Sequence, residues 1–276
     1  MSNIDMRQAF DFSQRRVLMS GGSGVLGRSM VRALVAHGAH VVLLTRNPDQ
    51  AQAHFADMPA PHQSQIAYVA VDLAHADHIA TAVAQARAHG PIDTLINGAG
   101  GNRPQATTGA QSFFALPAAA MHEVVDVNLF SAIQLSQHVL PHFVAQGHGV
   151  VLNVSSVSTV RPLTRVVTYS AAKAGLDTFT RWLATHMAFE YSPAIRVNAI
   201  APGFFFTEQN RFLLREADGQ TLTPRGQQIL AHTPMQRFGH PDDLVGAVLW
   251  LLSPAAAFVT GQVITVDGGF SAFSGV

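Results

Sequence analysis

Short apolar runs rich in β-branched residues recur along the chain at 17–20, 41–45, 67–71, 94–97, 149–154, 196–200 and 262–266. Strands buried on both faces read as continuous apolar runs, and the gaps between these are long enough for a helix. The pattern therefore predicts βαβ units forming a parallel sheet. Helical periodicity fills several gaps, at 28–37, 122–143, 171–189 and 242–252. The expected fold class is α/β: a doubly wound parallel sheet with helices on both faces, residues 1–276 forming a single domain with an extended N-terminal segment at 1–14. In such a sheet ligands sit beyond the carboxyl ends of the strands, where the strand order reverses. Residues 204–239 break the pattern, mixing aromatics, charges and turn residues without a period. Long excursions of this kind are lids or binding loops, so this one is expected to be a substrate lid; a surface insertion that only packs is the alternative.

Composition narrows the function. With 48% apolar and 12% charged residues and no low-complexity tract, the chain reads as a compact fold with much buried surface, and its sparse surface charge hints at subunit contacts. Lys+Arg and Asp+Glu balance at 17 each, which gives no summed field to draw it to nucleic acid or an anionic membrane. The absence of cysteine removes disulfides, a thiolate nucleophile and Cys-ligated metal. The N-terminus has no signal-like apolar stretch and no run reaches about 18 apolar residues, so a cytoplasmic location without membrane contact is expected. The 14 histidines are scattered without HExxH or paired ligand spacing, and no metal site is expected.

The candidate chemistry follows the strands. After the first comes Ser20-Gly21-Gly22-Ser23-Gly24-Val25-Leu26-Gly27, leading into a helix. Glycines there allow a tight turn and close approach, so that helix N-terminal amides face a pyrophosphate; Gly21, Ser23, Gly24, Leu26 and Gly27 are the expected contacts. The second strand ends in Thr45-Arg46. An acid at Thr45 would take the adenosine ribose hydroxyls, whereas a neutral residue followed by arginine suits a 2′-phosphate. NADP(H) is therefore favoured over NAD(H), with Arg46 as an ordinary solvated arginine the plainer alternative.

Tyr169 and Lys173 lie four apart in a helical segment, so both project toward one spot, and Ser156 directly follows the strand at 149–154. A phenol with pKa about 10 is a poor acid-base catalyst at neutral pH; a shift of about three units is worth roughly 4 kcal/mol. The Lys173 ammonium has the sign to supply much of it. Carbonyl reduction would then use Tyr169 as proton donor, with Ser156 hydrogen-bonding the same oxygen and a nicotinamide giving the hydride.

At these residues the sequence resembles the short-chain dehydrogenases/reductases, enzymes of the Rossmann fold, from about residue 17 to 270. Ser20 to Gly27 resembles the family's TGxxxGxG loop, with Val25 in place of its middle glycine. The resemblance implies that Asp72 receives the adenine amino group with Leu73 beside it. It places Asn97, Ala99 and Gly100 by the adenosine ribose, and Pro202, Gly203 and Thr207 on the nicotinamide carboxamide. Asn128, Ser156, Tyr169 and Lys173 match the catalytic tetrad in order and separation. In that tetrad Asn128 orders a helix and a water, while Tyr169 and Lys173 also contact cofactor. The C-terminal strand implies a homo-oligomer, tetramer or dimer.

Four stretches, NGAGGNRP, RPLTRVVTY, APGFFFTEQNR and the tail GGFSAFSGV, resemble the fructuronate reductases, or D-mannonate oxidoreductases, within this family. A sugar acid needs a cation for its carboxylate and polar groups for its hydroxyls. Arg103, Arg161, Arg165 and Arg211, with Asn102, Gln209 and Asn210, fall in segments expected near the pocket and form the expected substrate set together with Ser156 and Tyr169. Loop-bracing or subunit salt bridges are the alternative for each arginine. The competing functions are a reductase of another ketone, such as a 3-oxoacyl thioester, a keto-gluconate or a polyol, and a non-catalytic cofactor-binding regulator. A pure binder needs no Tyr-Lys pair, and apolar acyl substrates predict a greasier lid.

Overall fold

The structure is a computed structural model that describes residues 5–109, 111–207 and 211–275. Its seven strands are β1 Arg16–Ser20, β2 His40–Thr45, β3 Ile66–Ala70, β4 Thr94–Asn97, β5 Gly149–Val154, β6 Ile195–Pro202 and β7 Val263–Val266. All neighbours pair in parallel, in the order β3-β2-β1-β4-β5-β6-β7. The chain thus winds outward from β1 to β3, then returns to lay β4 on the other side of β1, which opens the crevice between the ends of β1 and β4.

Alternate residues of each strand feed two cores, which explains the continuous apolar runs. Val17, Met19, Val41, Leu43 and Leu152 pack on one face with the helices Val25–Ala36 and Val245–Leu252. Leu18, Val42, Leu44, Leu95 and Val151 pack on the other with Ala76–Arg87, Ser131–Gln146 and Val167–Glu190.

Element bounds differ from expectation where caps decide them. The first long helix begins at Val25, not Arg28, because the extended Gly24 (φ −71°, ψ 166°) is its N-cap. The helix expected at 122–143 starts at Ala118 and runs to Gln146, interrupted by a π turn at Asp126–Phe130 that carries Asn128. The Tyr169 helix starts at Val167 rather than 171, so Tyr169 lies in its first turn and Lys173 one turn on. Within the N-terminal segment expected to be extended, Met6–Ala9 instead form a helical turn capped by Asp5, which accepts from the Arg7 amide at 2.9 Å, and Phe12 is 2% exposed in the core.

The excursion at 204–239 is more ordered than its sequence pattern implies. Its base is tied by Phe206 N to Gly239 O and Gly239 N to Phe204 O, both 2.9 Å. Helices Arg211–Leu214 and Pro224–Ala231 follow within it, packed so closely that a Cβ on Gly226 would fall 2.3 Å from the Leu214 carbonyl oxygen.

Candidate active site

Two turns meet at the crevice. Gly21 adopts φ +73°, and a Cβ there would lie 2.2 Å from Gly98 O and 2.6 Å from Ala99 N, so the turn after β1 touches the backbone after β4 with no room for a side chain. A Cβ on Gly27 would likewise fall 2.2 Å from Gly21 O. Ser20 fastens the two together: its Oγ accepts from the amides of Gly98 and Ala99, each at 3.2 Å. Gly24 offers the following helix no side-chain cap, leaving its first amides for a ligand. Ser23 is half-buried beside this turn, and Leu26 packs against the core below it.

Around the rest of the crevice, Thr45 Oγ1 accepts from Asn47 N at 3.4 Å. Arg46 is exposed and makes no hydrogen bond or ion pair among the described residues. Asp72 accepts from Ala74 N at 3.0 Å, and Leu73 is buried in the core. The Asn97 side chain turns inward, donating to Asn153 Oδ1 at 2.9 Å and Ser136 Oγ at 3.3 Å, and it is Ala99 and Gly100 that line the surface. Gly203 follows Pro202, the last residue of β6, and pairs with Val266 O at 2.9 Å; Thr207 is the last described residue before 208–210. Gln209 and Asn210 lie outside the described residues.

Two of the four expected catalytic residues, Asn128 and Lys173, meet at Gly100. A Cβ there would fall 2.6 Å from Asn128 Oδ1 and 3.1 Å from Lys173 Nζ. Asn128 donates through Nδ2 to Gly101 O (2.7 Å) and Val124 O (2.8 Å) and accepts from Gly101 N (3.0 Å), tying the loop after β4 to the π turn. Lys173 Nζ donates to Val154 O at 2.7 Å, at the end of β5, and lies 5.9 Å from the centre of the Tyr169 ring. Ser156 Oγ accepts from Ser158 N at 3.2 Å.

Burial pushes the Tyr169 phenol up from its ordinary value, against a hydrogen bond with Ser156 that lowers it. Burial also pulls Lys173 down to about 8, partly opposed by the Asp177 carboxylate. The expectation that Lys173 draws the phenol down is not met here, since desolvation outweighs any such help and keeps the phenol protonated. Asp177 was not among the expected residues. It is buried, accepts from Ser155 Oγ, and stands one helical turn past Lys173, so the spacing 169, 173, 177 was the available signal. Ser20, which latches the two turns, is likewise absent from the expected contacts.

The arginines separate. Arg103 pairs with Glu123 at 3.3 Å, with the Asn102 side chain accepting from its amide at 2.9 Å. Arg161 is spent on the carbonyls of Ser271 (3.0 Å) and Phe273 (3.3 Å), bracing the C-terminal tail. Arg211 lies against Gly219. Arg165 alone of the four has an exposed side chain without a partner among the described residues, at φ +76°. Among the described residues no cluster of His, Asp or Glu could hold a metal, and no helix is long and apolar enough to cross a membrane.

Residues 23–271 match the family described as enoyl-(acyl carrier protein) reductase. The uncharacterized oxidoreductase UxuB of Bacillus subtilis (strain 168) is 41% identical over 95% of this chain and 96% of its own. The chain is a short-chain dehydrogenase/reductase. As such it is an oxidoreductase acting on CH–OH groups. Among solved members of the family, a candidate D-mannonate oxidoreductase from Haemophilus influenza with bound NAD has a TM-score of 0.88 and 33% identity, covering 98% of this chain and all 100% of its own. A gluconate 5-dehydrogenase from Burkholderia cenocepacia J2315, in complex with NADP and tartrate, has a TM-score of 0.82 and 30% identity, covering 96% and 99%.

Proposed function

We propose that this short-chain dehydrogenase/reductase transfers a hydride between NADP(H), favoured over NAD(H), and the carbonyl or secondary alcohol of a sugar acid of the fructuronate or D-mannonate kind. The observation that carries it is the grouping of Ser156, Tyr169, Lys173 and Asn128: Ser156 hydrogen-bonds Tyr169, Lys173 Nζ lies 5.9 Å from the Tyr169 ring, and Lys173 and Asn128 meet at Gly100, which follows β4 as the glycine turn follows β1. The fit to the cofactor is local: the helix N-terminus behind Gly24, without a side-chain cap, suits a pyrophosphate, and Arg46, exposed and without a partner among the described residues, suits a 2′-phosphate after a neutral Thr45. When bound, the nicotinamide supplies or accepts the hydride. Tyr169, held protonated by burial, donates a proton to the carbonyl oxygen in reduction, and Ser156 donates a hydrogen bond to the same oxygen. Lys173, with a pKa of about 8, is poised to return the proton to Tyr169, while Asn128 fixes the loop over which both work. The sugar-acid class is supported by relatives named for D-mannonate and gluconate.

The test follows the absorbance of reduced nicotinamide with purified enzyme, NADPH or NADH, and a panel of fructuronate, keto-gluconates, neutral ketoses and 3-oxoacyl thioesters. Turnover of fructuronate or a keto-gluconate above the neutral and thioester substrates is expected; preference for a thioester sinks the substrate class. Tyr169→Phe should lower kcat by about 10²- to 10⁴-fold while cofactor still binds, and retained activity would remove Tyr169 as proton donor.

A further inference from the structure

We propose that Arg165 and Arg225, where the loop before the Tyr169 helix meets the helix Pro224–Ala231, form an anion subsite that takes the carboxylate of the substrate. The inference rests on the sugar-acid reading above and names the residues that would enforce it.

Three observations meet at this place. Arg225 Nη1 reaches across to Thr164 Oγ1 at 3.4 Å, which sets its guanidinium beside the residue that precedes Arg165. Neither arginine has an acidic partner among the described residues, although Arg15, Arg32, Arg103 and Arg237 each have one. Burial and the charge of Arg165 both hold the pKa of Arg225 below its ordinary value, so the two cations feel each other.

The backbone adds to the imbalance. Arg225 is the second residue of Pro224–Ala231, a helix with no acid in its first turn, so a cation occupies the positive end of a helix dipole. Arg165 adopts φ +76°, a conformation unfavourable for a non-glycine residue, with the amide of Thr108 donating to its carbonyl at 3.1 Å. Two like charges and a positive helix end are gathered here with no acidic partner among the described residues, an unfavourable combination. A carboxylate between them relieves all three at once, and guanidinium forks match its geometry. The loop carrying Arg165 joins Ser156 to Tyr169 in the chain, so the subsite and the residues proposed to serve the carbonyl share one segment. An extended polyhydroxy keto acid has both groups; a neutral ketose or an acyl thioester lacks the first.

The experiment titrates cofactor-saturated enzyme calorimetrically with D-gluconate and with sorbitol, its uncharged counterpart. Wild type should bind gluconate at least about tenfold more tightly than sorbitol, and R165Q and R225Q should each lose about tenfold or more for gluconate alone. R225K, which keeps the charge without the fork, should fall between and serves if R225Q fails to fold. Equal affinity of wild type for both probes, or variants that weaken both alike or neither, overturns the subsite. Fructuronate turnover is measured in parallel: turnover that survives in R165Q and R225Q with unchanged KM overturns the subsite and keeps the substrate class. Gluconate selectivity without turnover of any sugar acid does the reverse.

Discussion

At the scale of single residues the buried ammonium of Lys173 is the most consequential charge in the site. It is 3% exposed and, with a pKa of about 8 in the fold against an ordinary 10.5, releases its proton earlier folded than unfolded. Between those values the unfolded chain binds more protons than the native one, so stability should rise with pH from about 8 upward, by at most about 1.4 kcal/mol per unit. Below 8 the buried charge costs the fold on the order of 3 kcal/mol. Tyr169 has the opposite sign: with its pKa raised, it costs stability only as pH climbs above about 10. Urea denaturation of the ligand-free enzyme from pH 7 to 9.5 therefore isolates Lys173. The midpoint should climb above pH 8 in wild type and stay flat in K173M relative to that climb. In D177N, which loses the carboxylate that holds Lys173 up, the climb should start at lower pH. An identical profile in wild type and K173M would mean that Lys173 titrates normally.

At the scale of elements, the turn after β1 and the turn after β4 are a single device, because the first is built against the backbone of the second. Gly21→Ala would place a methyl 2.2 Å from Gly98 O, and moving Gly98 would strain the Ser20 latch. Gly147→Ala is its control, with a similar φ of +78° and nothing within 4 Å of the added carbon. Both variants carry the left-handed cost of about 1–2 kcal/mol, but only Gly21→Ala should lose clearly more than that in urea denaturation and lose cofactor affinity as well. Equal losses would leave no steric role for the contact. The same scale shows what could be read in advance. The strands were legible because burial on two faces writes unbroken apolar runs, and the nearness of Tyr169 to Lys173 because the two share a helix face. The helix Ala76–Arg87 was not singled out, since its buried positions are Ile79, Ala82, Val83 and Ala86, half of them alanines with little hydrophobic contrast. Arg161 looked equivalent to Arg165 because its partners lie 110 and 112 residues away. Arg225 escaped for the same reason, its contact to Thr164 spanning 61 residues.

At the scale of the whole molecule, the crevice joins the two halves of the sheet, so a ligand bound there should stabilise the cooperative unit rather than a loop. Free energy gained by the native state is RT ln(1 + [L]/Kd), about 2.7 kcal/mol at a hundredfold excess over Kd, or roughly 5–10 °C in Tm for a chain of this length. This makes the melting temperature a direct reporter of cofactor preference, free of any assumption about substrate. A ribose 2′-phosphate would meet the exposed guanidinium of Arg46 and a neutral Thr45, whereas an acid at 45 would repel it and accept from the ribose hydroxyls instead. NADPH should therefore raise the Tm of wild type more than NADH at the same concentration, and Thr45→Asp should invert the order. Arg46→Gln should erase the difference by weakening NADPH without strengthening NADH. If NADH gives the larger shift in wild type, Arg46 is an ordinary solvated arginine and the preference runs toward NAD(H). If Thr45→Asp leaves both shifts where they were, the adenosine ribose is read from elsewhere in the crevice, and Asp72 and the backbone of Ala99 become the next positions to change.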